Sequence, residues 1–256
     1  MMAEPADDTG DKLSETEFVL GNVAFALMHE LAHVLISERK IPIIGSEEIA
    51  ADHLATIFLV RGESSDPDQN ARLKQYAVMT ALAFAGLWDF ANEIDIRSPY
   101  WDDHGLSIQR YYRMLCLIHG SDPDAHPQLT TGKALPVERA RFCGDEFTKA
   151  NRAVDWLLST YGRKTPDLGP VLETSYEEPR TRVEMRLLKA IRDRRLIELT
   201  LTAFQERFAV QSGFSVAVRR CGRAEAGWDV ARRELFICHE LLGAYHVLYL
   251  RASTGR

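Results

Sequence analysis

An α+β fold is predicted for this chain: a mostly helical body with a small antiparallel sheet contributed by a C-terminal hairpin. Two observations carry the prediction. Helical patterns with caps and breakers follow one another through residues 14–161. Strand-like runs appear only near the end, at Phe214-Ser-Val-Ala-Val218 and Glu234-Leu-Phe-Ile-Cys238, with Glu225-Ala-Gly-Trp228 as a third between them.

Taken in order, Ser14-Glu-Thr-Glu17 is a capping-box pattern opening a helix to about Glu38, with Phe18, Phe25, Leu27 and Val34 for its buried faces. Pro42 and Gly45 break it, and Ser46 caps a second helix that runs to about Arg61 and stops at Gly62. A third helix covers roughly Asn70 to Asn92, and a fourth Leu106 to Ile118 after a loop carrying Ser98-Pro-Tyr-Trp-Asp-Asp-His104. The stretch from Gly120 to Leu135 reads as loop. Pro136 opens a fifth helix to about Tyr161. One long helix is expected over Val183 to Val210, and a last one over Leu241 to Leu250. These elements divide the chain into a disordered acidic leader (1–13), a helical region (14–161), a linker rich in Pro, Gly and Thr (162–180), and a segment of helix, cysteine-flanked hairpin and terminal helix (181–256).

Composition narrows the function. With 256 residues and 46% hydrophobic content, the chain can bury one large core or two modest ones. A net charge of −6 argues against nucleic acid, because no basic face answers the phosphate field. No uninterrupted apolar run reaches ~18 residues, so no membrane span is expected. The leader is not a signal peptide; it reads as the stub of a mature N-terminus. The four cysteines fall as two plausible pairs, Cys116 with Cys143 and Cys221 with Cys238, or else as four reduced, buried thiols. No Cys-x-x-Cys spacing occurs, which argues against a cysteine metal site.

The chemistry concentrates in His29-Glu30-Leu31-Ala32-His33. Histidines four apart on a helix project from one face, about one turn (~5.4 Å) apart, a spacing at which both imidazoles bind one Zn²⁺. Glu30 then sits beside the open coordination position, placed to act as general base toward water. Glu48, in the first turn of the next helix, is the expected third ligand, and Glu47 shares that turn as a supporting carboxylate. Asp52, one turn further, is placed to accept the second ring N–H of a ligating histidine. The plain alternative is a helical hairpin with two core histidines and an acidic first turn.

These residues resemble a known pattern. His29-Glu-Leu-Ala-His33 with Leu35-Ile36, then Pro42-Ile-Ile-Gly45 and Glu47-Glu48-Ile-Ala-Ala-Asp52, is similar to a family of bacterial proteins of unknown function classed as metallopeptidases. Ser46 stands where that family's pattern carries Arg. More distantly the set resembles thermolysin-like gluzincins, which implies a zincin-like core, one zinc per chain, Glu48 as third ligand and Asp52 as the carboxylate behind the ligands. The resemblance extends through Trp101-Asp-Asp-His104 to Gln109-Arg110 and Cys116, through Leu135-Pro136 and Arg139-Ala-Arg-Phe-Cys143, and to Cys221 through Asp229 and Cys238-His-Glu-Leu. It implies that the strand at 225–228 lines the cleft and that Ala226 and Trp228 bind substrate, with Glu225 and Gly227 departing from the pattern. In gluzincins that strand precedes the zinc helix, whereas here it follows. Export signals among relatives imply a periplasmic or secreted protein; a cytoplasmic one is the alternative.

His104 is a candidate donor to a developing oxyanion, or equally a loop histidine held by Asp102 or Asp103. Tyr111 and Tyr112 are weaker candidates, and His53 reads as structural. His239-Glu240 is not half of a second site, because position 243 is Gly. The expected function is zinc-dependent peptide hydrolysis acting on a peptide or protein substrate. The alternatives are a catalytically silent interaction or sensor protein on the same scaffold, and a purely structural helical protein.

Overall fold

The computed structural model describes residues 14–62, 66–94, 100–131, 134–165, 167, 169–170 and 172–254. The expected leader, 1–13, lies outside the described residues. Helix α1 (Glu15–Arg39) begins at Ser14, whose hydroxyl accepts the Glu17 N–H at 3.1 Å. Its apolar residues fall on nearly every face, so it is enclosed rather than laid on a surface: Phe18, Leu20, Leu27, Leu31 and Val34 are all buried. By length and composition α1 could cross a membrane, because the run expected to be too broken still gives a window of mean hydropathy 1.6. Yet 89% of that window is buried inside the protein.

Helix α2 (Glu47–Arg61) starts where Ser46 Oγ accepts the Ile49 N–H at 3.4 Å and stops at Gly62 in the left-handed region, φ 52°. Then come α3 (Pro67–Glu93), α4 (Ser107–Ser121), α5 (Gln128–Thr131), α6 (Val137–Ala140) and α7 (Cys143–Tyr161). The single helix expected from Pro136 is thus broken near Phe142 into α6 and α7. Helices α1 to α4 and α7 pack on one another around Ile57, Leu59, Met114, Leu115 and Ile118.

The second half supplies β1 (Glu173–Tyr176), α8 (Arg182–Asp193), α9 (Leu196–Arg207), β2 (Ser215–Arg219), β3 (Ala226–Asp229), β4 (Glu234–Cys238) and α10 (His239–Thr254). The long helix expected over 183–210 is two helices, because Arg195 adopts φ 50° and turns the chain between them. The sheet has four strands in the order β1-β2-β4-β3 and is mixed, which corrects the expected antiparallel one. Strands β1–β2 and β2–β4 pair in parallel, and only β3–β4 is antiparallel. The α8–α9 crossover makes the first parallel pairing possible, since parallel neighbours need a long connection. Strand β1 arises inside the expected linker. Its Glu-Thr-Ser-Tyr sequence carries no apolar alternation to announce it.

The core is continuous from Phe18 on α1 to Leu248 on α10 and includes Val216, Val218, Leu235 and Ile237 of the sheet. Both β3 and β4 contact α1 directly. The cysteines are bonded as Cys116–Cys143, joining α4 to α7, and Cys221–Cys238, closing the β2–β3 connection onto the end of β4.

Candidate metal centre and cleft

Four residues apart on α1, His29 and His33 bring their Nε2 atoms to within 3.2 Å of each other. The break at residues 40–46 folds α2 back so that its first turn faces them. Glu48 Oε2 then lies 3.0 Å from His29 Nε2 and 3.5 Å from His33 Nε2. Ligands ~2.0–2.1 Å from a tetrahedral ion stand about 3.3–3.4 Å apart, so these three separations bracket a tetrahedral edge. Three donor atoms of the right chemistry therefore converge at the spacing that one ion requires, and they form a group able to hold a metal.

Around the three, further side chains fix orientation. Asp52 Oδ1 is 2.9 Å from His29 Nδ1, at ion-pair distance although off the direction of the ring N–H. Asp52 is almost fully buried and is gripped by Arg110 through two bonds. Glu47 Oε1 lies 2.7 Å from His33 Nδ1, so each histidine has a carboxylate behind it. His104 Nδ1 is 2.9 Å from Asp102 Oδ1, and its Nε2 is 3.1 Å from Glu48 Oε2. Ser46 Oγ donates to the Asp103 carbonyl at 3.2 Å, tying the α1–α2 turn to the loop that carries His104.

The electrostatics follow from this packing. Burial alone would lower the His29 imidazole, but contacts with Asp52 and Glu48 outweigh it and raise its pKa. Burial likewise opposes protonation of His33, yet Glu48 and Glu47 push it up to about 9. Glu48 and Asp52 move the other way. Both are held below the ordinary carboxylate value against their burial, Glu48 by His29 and His33, Asp52 by His29 and Arg110. Glu30 differs in kind. Burial raises its pKa despite the nearby His29 and His33, because among the described residues no hydrogen-bonded cation compensates.

Two cavities flank this centre, and Glu30, His104 and Ala226 line both. One, about 420 Å³, is walled by Phe25, Phe84, Leu241, Tyr245 and Leu248, with Arg110 at its side. The other, about 340 Å³, is more polar and open, lined by His33, Glu47, Glu48, Gly227, Trp228 and Val230. Strand β3 runs past both as the edge of the sheet. Cys238 N–H donates to Glu225 O at 2.9 Å, so 225 and 238 form a hydrogen-bonded pair. By the alternation of an antiparallel ladder, Ala226 and Trp228 then turn their N–H and C=O groups away from β4. The space an aromatic would fill at Gly227 belongs to Phe236 across the ladder, whose ring lies 2.7 Å from where a Cβ would stand.

Arg110 is the residue whose part here the sequence reading left unassigned. No local signal announced it: an arginine on a helix is ordinarily answered by water, and only its burial against Asp52 makes the pairing necessary. His53, half-buried, stays outside the cluster. His239 is buried and, among the described residues, neither ring nitrogen has a partner.

Residues 3–158 match the model of the DUF4344 family, described as "putative metallopeptidase". The chain belongs to that family. Its description implies a metal cofactor and a peptide substrate. The match ends before β1, so the hairpin lies beyond it. Neither a curated protein nor a solved structure matches the chain significantly.

Proposed function

We propose that the protein is a zinc-dependent metallopeptidase in which His29, His33 and Glu48 hold the ion and Glu30 is the general base. The observation that supports this best is the near-tetrahedral spacing of the three donor atoms, at 3.0, 3.2 and 3.5 Å. When bound, zinc would supply Lewis acidity, bringing the pKa of water towards ~7 and polarising the scissile carbonyl. The Glu30 carboxylate takes a proton from the attacking water and delivers it to the leaving amine, a task suited to a half-buried acid with a raised pKa. His104, oriented by Asp102, donates from Nε2 toward the oxygen where negative charge develops. Asp52 and Glu47 hold the two histidines in register, and Arg110 holds Asp52.

An extended peptide would pair with the outward main-chain groups of Ala226 and Trp228, placing one side chain in the apolar cavity beside Phe25 and Phe84. The two disulfides suit an oxidising compartment, periplasmic or extracellular. The test is metal analysis of protein purified without added zinc, joined to a peptide-library assay with a Glu30→Gln control. About one zinc per chain and cleavage abolished in the control are expected. Zinc without turnover in either protein would favour the silent interaction or sensor scaffold, and absence of metal would overturn the assignment.

A further inference from the structure

Away from the cleft, one face of α4 and the start of α6 border an open hollow of about 400 Å³, lined by Gln109, Tyr112, Arg113, Pro136 and Arg139. Its walls are largely apolar, and its charged groups are two arginines with no carboxylate among the lining residues. Arg139 is answered, because Nη1 and Nη2 each donate to a Glu146 oxygen at 2.6 Å. Arg113 is not. Among the described residues it has no hydrogen-bond or ion-pair partner, and its Nη1 atom is buried. Gln109 commits its Oε1 to the Leu106 N–H at 3.4 Å, so what it offers the cavity is its amide N–H₂. The Arg113 guanidinium reaches beneath Gly105, where a Cβ would stand 3.6 Å from Nη1. Gly105 follows His104, so the cavity underlies the loop that carries that histidine.

We propose that this cavity is an oxyanion site, taking the carboxylate or phosphate group of a residue-sized ligand on Arg113 and Gln109. Nη1 is closed off beneath Gly105, but the Arg113 Nε and Nη2 groups are accessible and also without an acceptor among the described residues, and an acceptor that brings negative charge answers them. The planar fork of N–H groups fits two oxygens of one carboxylate or phosphate. A water's share of liquid volume is ~30 Å³, so the cavity admits far more than a bridging solvent molecule.

Isothermal titration with inorganic phosphate and with succinate, at ionic strength fixed by sodium chloride, tests the assignment. At least one anion should bind the parent protein, and which one binds identifies the group the site prefers. Arg113→Gln should weaken that binding about tenfold or more, and Arg113→Lys less. Arg113→Gln should also melt at or above the parent temperature without added anion, because no native partner is lost. A His33→Ala variant, disabled at the candidate metal centre, should bind as the parent does. The proposal is overturned if neither anion binds better than chloride, if Arg113→Gln binds equally well, or if His33→Ala abolishes binding.

Discussion

Arg110 clasps Asp52 with two parallel hydrogen bonds, Nε to Oδ2 at 2.8 Å and Nη2 to Oδ1 at 2.6 Å. The pair is enclosed, and Asp52 in turn faces His29 Nδ1. Three side chains from α4, α2 and α1 therefore act in series on one imidazole.

Removing the far end of that series should be felt at the near end. Arg110→Met leaves the Asp52 charge buried with only His29 to face it, a loss on the order of 3–5 kcal/mol in urea unfolding. Asp52→Ala should keep the fold and weaken zinc ~10–100-fold in a competition titration with a chromogenic chelator. An unchanged zinc affinity in Asp52→Ala would remove the orienting role.

His33 is half-buried and borders the open polar cavity, so the space left by His33→Ala is open to water and the variant should fold as the parent does. It should nonetheless lose most of its zinc by mass spectrometry of the metal, because two ligands bind weakly. Full zinc in that variant would show that the ion sits elsewhere.

Acid should weaken the fold through carboxylates remote from the centre. Glu15, Glu184 and Glu240 are partly buried, which opposes ionisation, yet each is held below its ordinary 4.5: Glu15 by Arg186 and His246, Glu184 by the Thr181 and Arg180 N–H groups, Glu240 by backbone N–H groups that include those of Cys221 and Gly222. Their folded pKa values lie below the unfolded ones, so the unfolded chain binds more protons as pH falls. Their stabilisation is complete above about pH 4.5 and is lost as pH drops through the folded values. Unfolding free energy measured from about pH 5 to pH 3 should fall steeply, and Glu184→Gln should flatten that slope.

The Cys221–Cys238 bond closes a loop whose ends are 17 residues apart. Replacing both cysteines by Ser should cost about 2–4 kcal/mol in denaturant unfolding. Because β3 is anchored through this closure and the proposed metal ligands are not, zinc content should stay at the parent value while peptide cleavage declines.

Much of this was legible because it is local. The helix carrying His29 and His33, the Ser46 cap and the return of Glu48 and Asp52 on α2 depend on spacings within 24 residues, and local spacing is what a sequence displays. Elements whose reasons lie elsewhere stayed hidden. Strand β1 exists because Val216 and its neighbours offer an edge some forty positions later. The α8–α9 break rests on the left-handed backbone at Arg195, a residue with no intrinsic preference for it. The Arg110–Asp52 clasp spans 58 positions, and only burial makes it compulsory.

Helix α1 has a consequence for how the chain reaches its fold. Its neighbours α2 and α3 follow closely, but α8, α9, β3, β4 and α10, which also cover it, begin only at Arg182. Through much of synthesis an apolar segment long enough to cross a bilayer stands partly uncovered, open to aggregation or to capture by a membrane. Near its middle stand His29, Glu30 and His33, and an ionised side chain at a helix centre costs roughly 2.5–3.5 kcal/mol on insertion. The carboxylate assigned to proton transfer in the folded protein thus also biases the nascent helix toward water and its own late-arriving partners.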